Sequence, residues 1–267
     1  MKKKSLFILF VLSMWFGCMK VDASASDPFF KVTDEQSFIE CLSKDNMCEL
    51  SKDVTLSARQ LISKNIILDL KDHTLTAGDD LSVHAGLLKV NHGAKLTIMD
   101  SVGNGKISTG KSKEVWAAID LVDTTESDKP AELIVNGGTI EGFYYGITGN
   151  GNYHNTSITI NGGTIKTLNE EDSVAIFQPQ VGKLEVNGGT ITGATGIEIR
   201  SGNLTVNGGT ITGTAKEFLK MVNGNGTTTT GAGIAVAQHT TKNEINVVIN
   251  NGNISGIYGL YEWNPHN

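Results

Sequence analysis

The sequence predicts an all-β protein wound as a single-stranded parallel β-helix, a β-solenoid, and three observations carry that reading. The pentapeptide Asn-Gly-Gly-Thr-Ile is written four times, beginning at Asn136, Asn161, Asn187 and Asn207, and a degenerate fifth copy begins at Asn250. A short alternating apolar run precedes each copy: Leu133-Ile134-Val135, Ile158-Thr159-Ile160, Leu184-Glu185-Val186, Leu204-Thr205-Val206 and Val247-Val248-Ile249. After most copies comes a small residue followed by Ile or Leu, at Gly146-Ile147, Ala175-Ile176, Gly196-Ile197, Gly233-Ile234 and Gly259-Leu260. Three short strands per unit, returning roughly every 20–26 residues, suit a solenoid, in which one coil cannot bury its apolar side alone and must stack on the next.

At the start of the chain, Met1-Lys2-Lys3-Lys4 and the apolar run 6–16 have the form of a secretory signal, and Ala23-Ser24-Ala25 offers a small-residue cleavage site. Residues 1–25 are therefore read as a bacterial-type signal peptide, and the mature chain as secreted or held at the cell surface. The run is too short to span a membrane, and no transmembrane segment is expected in the mature chain. Cys18 offers a competing reading as a lipidated cysteine, but Trp15 and Phe16 make a poor processing site before it. In an exported chain, Cys41 and Cys48 are expected to form a disulfide.

Residues 26–56 are assigned to an N-terminal cap. Phe29-Phe30-Lys31-Val32 reads as a short strand. Thr33-Asp34-Glu35-Gln36 has the form of a capping box with Thr33 as N-cap, and Phe38, Cys41 and Leu42 at helical spacing predict a short capping α-helix over 34–44. Laid across the first coil, such a helix hides apolar core and unpaired strand edges. The Cys41–Cys48 bridge would tie it to a first strand over 48–56.

Residues 57–267 make the β-helix. In the run 65–76, Leu70 is aligned with Val135 and Leu75 with Ile140. Counting first strands from Ile67 gives about seven coils, a rod of roughly 30–35 Å at ~4.8 Å per coil. Insertions fall at 101–104, 124–129, 150–155, 169–172 and, longest, 214–230. A coil begins at Val247 and no closing element follows Trp263, so this end is expected to be truncated, uncapped or covered by another chain.

Glycine, at 31 of 267 residues, exceeds the usual ~7% and suits many tight turns. The formal net charge is −6 and arginine occurs only as Arg59 and Arg200. No basic stripe exists, which argues against a nucleic-acid partner. The Gly-Gly pair permits a sharp turn with positive φ, and the Asn before it tolerates a left-handed conformation. Stacked at strand spacing, Asn136, Asn161, Asn187 and Asn207 can form an amide ladder, a structural role.

The run Leu68-Asp69-Leu70-Lys71-Asp72-His73-Thr74-Leu75-Thr76, the run Gly93-Ala94-Lys95-Leu96-Thr97-Ile98 and the Asn-Gly-Gly-Thr-Ile series together resemble a known group. They are similar to secreted right-handed parallel β-helix proteins of the pectate-lyase-like superfamily, nearest to repeat-rich bacterial surface members of adhesin- or carbohydrate-binding type. The resemblance covers the chain from about residue 29 onward. It specifies a fold that hosts many activities. In catalytic members it implies carboxylates clustered on one outward face, with Ca²⁺ or an Arg or Lys base in lyases, or a spaced carboxylate pair in hydrolases.

The outward columns are read against that expectation. The first-strand column, Asp69, Thr97, Ile134, Thr159, Glu185, Thr205 and Val248, holds no carboxylate pair on neighbouring coils. On the second-strand face, Lys106, Glu141 and Lys166 interrupt the Thr-x-Thr pairs that an ice-binding array would need intact. The third-strand face is the most varied: Leu88, Asp120, Thr148, Phe177, Glu198, Ala235 and Tyr261, with Arg200 and Trp263 two residues further on. Ring faces pack on the apolar faces of sugars. The candidate ligand-binding residues are therefore Phe177, Glu198, Arg200, Tyr261 and Trp263, with Tyr144 and Tyr145 in a neighbouring corner beside Phe143 and Tyr153. The plainer reading is scattered surface aromatics and solvated charges. Glu198 and Arg200 are a base and its acid partner or, more plainly, an exposed i,i+2 ion pair. Glu170-Glu171-Asp172 offers at most a weak Ca²⁺ site against the default of solvated loop charges. No catalytic residue, resident metal or cofactor is assigned.

These readings add up to a non-catalytic adhesion or carbohydrate-binding module. Its expected partner is a polysaccharide or surface glycan, or a host or cell-wall protein. A polysaccharide lyase or glycoside hydrolase acting on a cell-wall or host polysaccharide is the alternative, and a structural stalk is the third reading.

Overall fold

A computed structural model describes residues 28–44, 47–121, 128–152, 155–220, 229–238 and 241–263. The expected signal peptide, Cys18 and Tyr153 lie outside these residues. The described chain winds through three parallel sheets of nine, eight and eight strands. In each sheet the spatial order follows the chain order, every strand pairing with its equivalents one coil before and one coil after. This is a parallel β-helix. Among the described residues no helix is long and apolar enough to cross a membrane.

Among the described residues eight coils are present, one more than the repeat predicts. The additional one is coil 1, formed by Met47–Leu50, Val54–Leu56 and Gln60–Ile62, whose first two strands stand where the sequence placed a single strand of the cap, 48–56. Its strands are three or four residues long and carry Glu49 and Gln60, so no repeat signature marks them. Coils 2 to 8 begin with the strands Ile66–Asp69, Lys95–Met99, Ala131–Val135, Thr156–Ile160, Gly182–Val186, Gly202–Val206 and Ile245–Ile249.

The core is a set of columns in register from coil to coil. One runs Cys48, Leu68, Ile98, Val135, Ile160, Val186, Val206 and Ile249. Leu68, and not Leu70, therefore shares the column of Val135. Asp69 likewise leaves the first outward column to Ile67, which pairs with Thr97. Leu75 does align with Ile140, through Ile107. The slip arises because the turn after Ile66–Asp69 is two residues longer than the turns made by the Asn-Gly-Gly-Thr-Ile copies. Lys71 and Asp72 there both take positive φ, 46° and 67°. The carboxylates of Asp69 and Asp100 hold this turn by accepting hydrogen bonds from Lys71 N (3.1 Å) and Asp72 N (3.0 Å).

The repeated pentapeptide forms the corner between the first and second sheets, and its two glycines are required for different reasons. The second has positive φ in every full copy: 78° at Gly138, 80° at Gly163, 84° at Gly189 and 88° at Gly209, a region that L side chains avoid. The first lies against the coil beneath. A Cβ on Gly162, Gly188 or Gly208 would stand 2.7–2.9 Å from the carbonyl oxygen of the preceding copy's Asn. The asparagines themselves are not left-handed, contrary to one expectation; they form the ladder. Asn161, Asn187, Asn207 and Asn250 each donate from Nδ2 to Oδ1 of the Asn one coil earlier, at 2.8–2.9 Å. The small residue of the third strand is explained as well. A Cβ on Gly146, Gly196 or Gly233 would stand 2.5–2.7 Å from the Ile165, Ile211 or Ile254 side chain of the following coil.

At the N-terminal end, Glu35–Leu42 is the expected helix, with Phe38, Cys41 and Leu42 buried. Its N-cap is Asp34, one residue later than the sequence predicts. Ser37 N donates to Asp34 Oδ1 (2.8 Å) and Asp34 N donates to Ser37 Oγ (3.1 Å). An Asp accepts more strongly than a Thr hydroxyl. Cys41 and Cys48 are disulfide-bonded, which ties the helix to the first strand of coil 1; closing so short a loop stabilises by about 2–3 kcal/mol.

Each ladder bond contributes about 0.5–1.5 kcal/mol net. Asn187→Ala removes two and is expected to cost about 1–3 kcal/mol, whereas Asn250→Ala removes one and costs about half as much. Urea unfolding midpoints of the two variants check the ratio, and equal losses would exclude an additive ladder.

Candidate functional site

The outward column of the third sheet brings Lys89, Asp120, Thr148, Phe177, Glu198, Ala235 and Tyr261 side by side. Lys89 takes the place the sequence gave to Leu88, which pairs with Ile119 and is fully buried. This face is not the open platform its composition promises. Phe177 is 5% exposed, Glu198 0% and Arg200 2%. Glu198 and Arg200 do pair, Arg200 Nε donating to Glu198 Oε1 at 2.7 Å, but the pair is buried and not on an exposed strand as expected. The Arg200 guanidinium lies 4.9 Å from the centre of the Phe177 ring, and Tyr145 stacks on the same ring at 5.3 Å with a 24° interplanar angle. Phe177, Glu198 and Arg200 thus belong to a packed layer beneath Tyr145.

Tyr261 and Trp263 are engaged from within the chain. The insertion after the second strand of coil 7 starts as a hairpin, bridged at Lys220 and Thr229 and held by hydrogen bonds from Thr230 N to Leu219 O (2.9 Å) and from Thr195 Oγ1 to Thr229 O (2.8 Å). Its Phe218 packs edge-on against Tyr258 and Tyr261, both at 4.7 Å between centroids. Its Lys220 ammonium sits 4.2 Å over Trp263. The rings of the last coil anchor the insertion and do not form a flat surface with Phe177.

Tyr144 and Tyr145 belong to a different assembly, at the corner between the second and third sheets. There the backbone stacks coil on coil: Trp116 N donates to Ala85 O (3.0 Å), Tyr144 N and Tyr145 N donate to Trp116 O (2.9 and 3.0 Å), and Val174 N donates to Tyr144 O (2.9 Å). Two groups of rings result, His84 with Trp116 and the triplet 143–145 on the next coil. His84 lies 5.4 Å from Trp116, Phe143 4.8 Å from Tyr144, and Tyr144 6.4 Å from Tyr145. Trp116 is 42% exposed, while the three residues 143–145 are half-buried. Charged groups frame the rings, with the Lys113 ammonium 5.7 Å over Phe143 and the His84 Nε2 against the Glu114 carboxylate.

Trp116 and His84 were not singled out from the sequence, yet a signal existed. Aligning coils on the small-residue-plus-Ile pair places Ala85, Trp116, Tyr144 and Ser173 at one position, each two residues before the small residue or its equivalent. The pattern is hidden by the long charged turn before Trp116.

The carboxylates do not gather. Asp120 pairs with Arg59 and accepts from Gly86 N at 2.9 Å. Glu198 pairs with Arg200. Glu141, on the second sheet, pairs with Lys166 at 2.7 Å and Lys106 at 3.8 Å and accepts from Ser108 Oγ at 2.9 Å. Burial by itself would push the Glu141 carboxyl up; hydrogen bonds from Lys166 and Ser108 and the charges of Lys106 and Lys166 outweigh it and hold the group below its ordinary 4.5. The acidic loop is exposed at Glu171 and Asp172 and ordered by Asn169, whose Oδ1 accepts from Glu171 N at 3.0 Å. An open cavity of about 450 Å³ separates it from the insertion, lined by Glu170, Glu171, Lys216, Glu217 and Leu219 among others. Among the described residues no group of three or more His, Cys, Asp or Glu side chains is placed to hold a metal ion. No protein-family model, no curated protein and no solved structure matches the chain.

Two outcomes follow for stability. Arg200→Ala removes the basic partner of the buried Glu198 carboxylate and is expected to cost about 3–5 kcal/mol, whereas Lys95→Ala, which breaks the half-exposed pair with Glu132, stays within about 1 kcal/mol; chemical denaturation compares them. Because the Glu141 pKa is lowered on folding, its contribution is fully present above pH 4.5 and is lost as the pH falls through the lower folded value. Glu141→Gln should therefore flatten the acid side of a stability–pH profile taken from about pH 7 to pH 3 and leave the rest of the curve's shape unchanged.

Proposed function

We propose that the protein is a secreted or cell-surface, non-catalytic module for adhesion through carbohydrate binding, and that the aromatic corner holding Trp116, Phe143, Tyr144 and Tyr145 is its recognition surface. The observation that carries this reading is the exposed ring of Trp116, with the half-buried rings of Phe143, Tyr144 and Tyr145 on the neighbouring coil, beside donors and acceptors. A ring face offers apolar contact to the axial hydrogens of a sugar, and flanking charged groups bond its hydroxyls. The rod fixes these rings on backbone that is hydrogen-bonded from coil to coil, so little order has to be gained on binding. Separation of Asp120, Glu141 and Glu198, each already matched with a basic side chain, disfavours the lyase or hydrolase alternative, which needs free carboxylates close together. Export is supported by the N-terminal sequence pattern and by the disulfide, a bond that persists in oxidising compartments. Kinship with pectate-lyase-like β-helix proteins is part of the same proposal and is supported by the three-sheet coil.

A glycan array probed with residues 26–267 is the test. Saturable binding to one glycan class, weakened about tenfold or more by Trp116→Ala and unchanged by Thr190→Ala on the second sheet, is the expected result. A blank array would remove the carbohydrate reading and leave a scaffold or a protein-binding adhesin.

A further inference from the structure

Coil 8 leaves its strand edges open. Ile245–Ile249, Asn253–Ser255 and Tyr258–Trp263 each stand at the end of their sheet. Of the eleven large hydrophobic side chains exposed among the described residues, five belong to this coil: Val248, Ile249, Ile257, Tyr258 and Leu260. The bonds already made by the first strand define its free edge. Asn250 N donates to Val206 O at 2.8 Å, and Gly202 N donates to Glu244 O at 2.9 Å, so both flanking residues turn their backbone towards coil 7. In a parallel strand, alternate residues face the same neighbour. Asn246 and Val248 therefore also face coil 7, and the N–H and C=O groups of Ile245, Val247 and Ile249 point out of the rod. On the core side, Val247 and Ile249 continue the columns of Leu204 and Val206. No charge interrupts the strand, and four of its five residues are β-branched, a composition that favours pairing with another chain.

We propose that two copies of the protein join tail to tail through this edge, as a closed dimer whose two-fold axis passes beside Val247. Antiparallel pairing about that axis sets Val247 against Val247 of the second copy, and Ile245 against its Ile249. With backbone groups aimed across the junction, these become hydrogen-bonded pairs, and each group on the free edge gains a partner. Their side chains meet on the core side, so the apolar columns run from one copy into the other. On the outer side Asn246 meets Val248 and Glu244 meets Asn250, and no like charges oppose one another. A one-residue slip would oppose core-facing to outward side chains, so the core fixes the register.

A second copy fits this end better than a growing stack does. The opposite end carries the helix Glu35–Leu42, bound to coil 1 through the Cys41–Cys48 disulfide, and that helix blocks a head-to-tail contact. Like then joins like, and such a contact closes on itself. In the dimer the two aromatic corners, on coils 3 and 4 of each copy, stand about 50 Å apart along one continuous rod, which suits bivalent attachment.

Sedimentation velocity of residues 26–267 over a wide concentration range tests this, and a monomer–dimer equilibrium without larger species is expected. Val247→Pro removes an N–H that points out of the rod, so it breaks no bond within the chain while it blocks the edge. It should weaken dimerisation about tenfold or more with an unchanged circular dichroism spectrum. Ile249→Lys should do the same, whereas Leu61→Lys, at an exposed position of coil 1, should leave the dimer intact. Cross-linking reads the register, because Cys41 and Cys48, the only cysteines in residues 26–267, are already joined. Asn246→Cys and Val248→Cys proteins, when mixed, should form a disulfide with each other and neither with itself. A monomer at every concentration overturns the proposal. So does a dimer indifferent to both Val247→Pro and Ile249→Lys, a dimer lost in Leu61→Lys, or growth into filaments. None of these outcomes depends on glycan binding at Trp116, which the array tests separately.

Discussion

The constraint on which this molecule rests is that each coil must retrace the coil beneath it at strand spacing. Parallel hydrogen bonds between equivalent residues enforce it along three sheets, and the corner after the first sheet enforces it most tightly. At that corner the Asn carbonyl of one copy lies where a Cβ on the next copy's first glycine would have to go, so nothing but hydrogen fits. The second glycine supplies the positive φ that turns the chain. The asparagine side chain then joins the stack through its amide. Sterics, backbone conformation and hydrogen bonding agree on one residue sequence, and the repeat is the result.

In the coils that carry the repeat that corner is saturated by structure, and their variation falls elsewhere. The corner between the second and third sheets accepts the charged turn before Trp116, the aromatic triplet 143–145, the acidic loop at 169–172 and the hairpin of the long insertion. Loops on a rigid frame are where recognition residues accumulate, and here the frame gives them a period. Side chains at equivalent positions of successive coils are held in file, which sets Trp116 and Tyr144 on neighbouring coils of one corner. The same stacking closes the neighbouring sheet face: Tyr145, Phe177, Arg200 and Glu198 fill it, and the basic residue offsets the desolvation of the carboxylate it accompanies.

The two ends of the rod are treated differently. The helix Glu35–Leu42 closes one end, burying Phe38, Cys41 and Leu42 and bound covalently to coil 1 through Cys41 and Cys48. In coil 8, by contrast, Ile249 and Leu260 are 41% and 52% exposed although their equivalents Val206 and Ile234 are fully buried. The columns continue to the last coil, and so does the ladder at Asn250.

The amino-acid sequence alone determined the winding. Period, apolar alternation, the Gly-Gly pair and the small residue of the third strand each reflect a contact between neighbouring coils, and such contacts repeat in sequence as they repeat in space. The capping helix and the disulfide were legible for a related reason, since both are set by residues within a few positions of each other. Coil 1, the two-residue longer turn at Lys71 and Asp72, and Lys89 in place of Leu88 were not legible, because there the repeat signature is absent or the spacing changes. The candidate site was decided by tertiary structure. Whether Phe177, Glu198, Tyr261 or Trp116 meets solvent depends on what other coils and the hairpin lay over them. Phe218, which packs on Tyr261, is 43 residues away in the chain, and no local pattern encodes that contact.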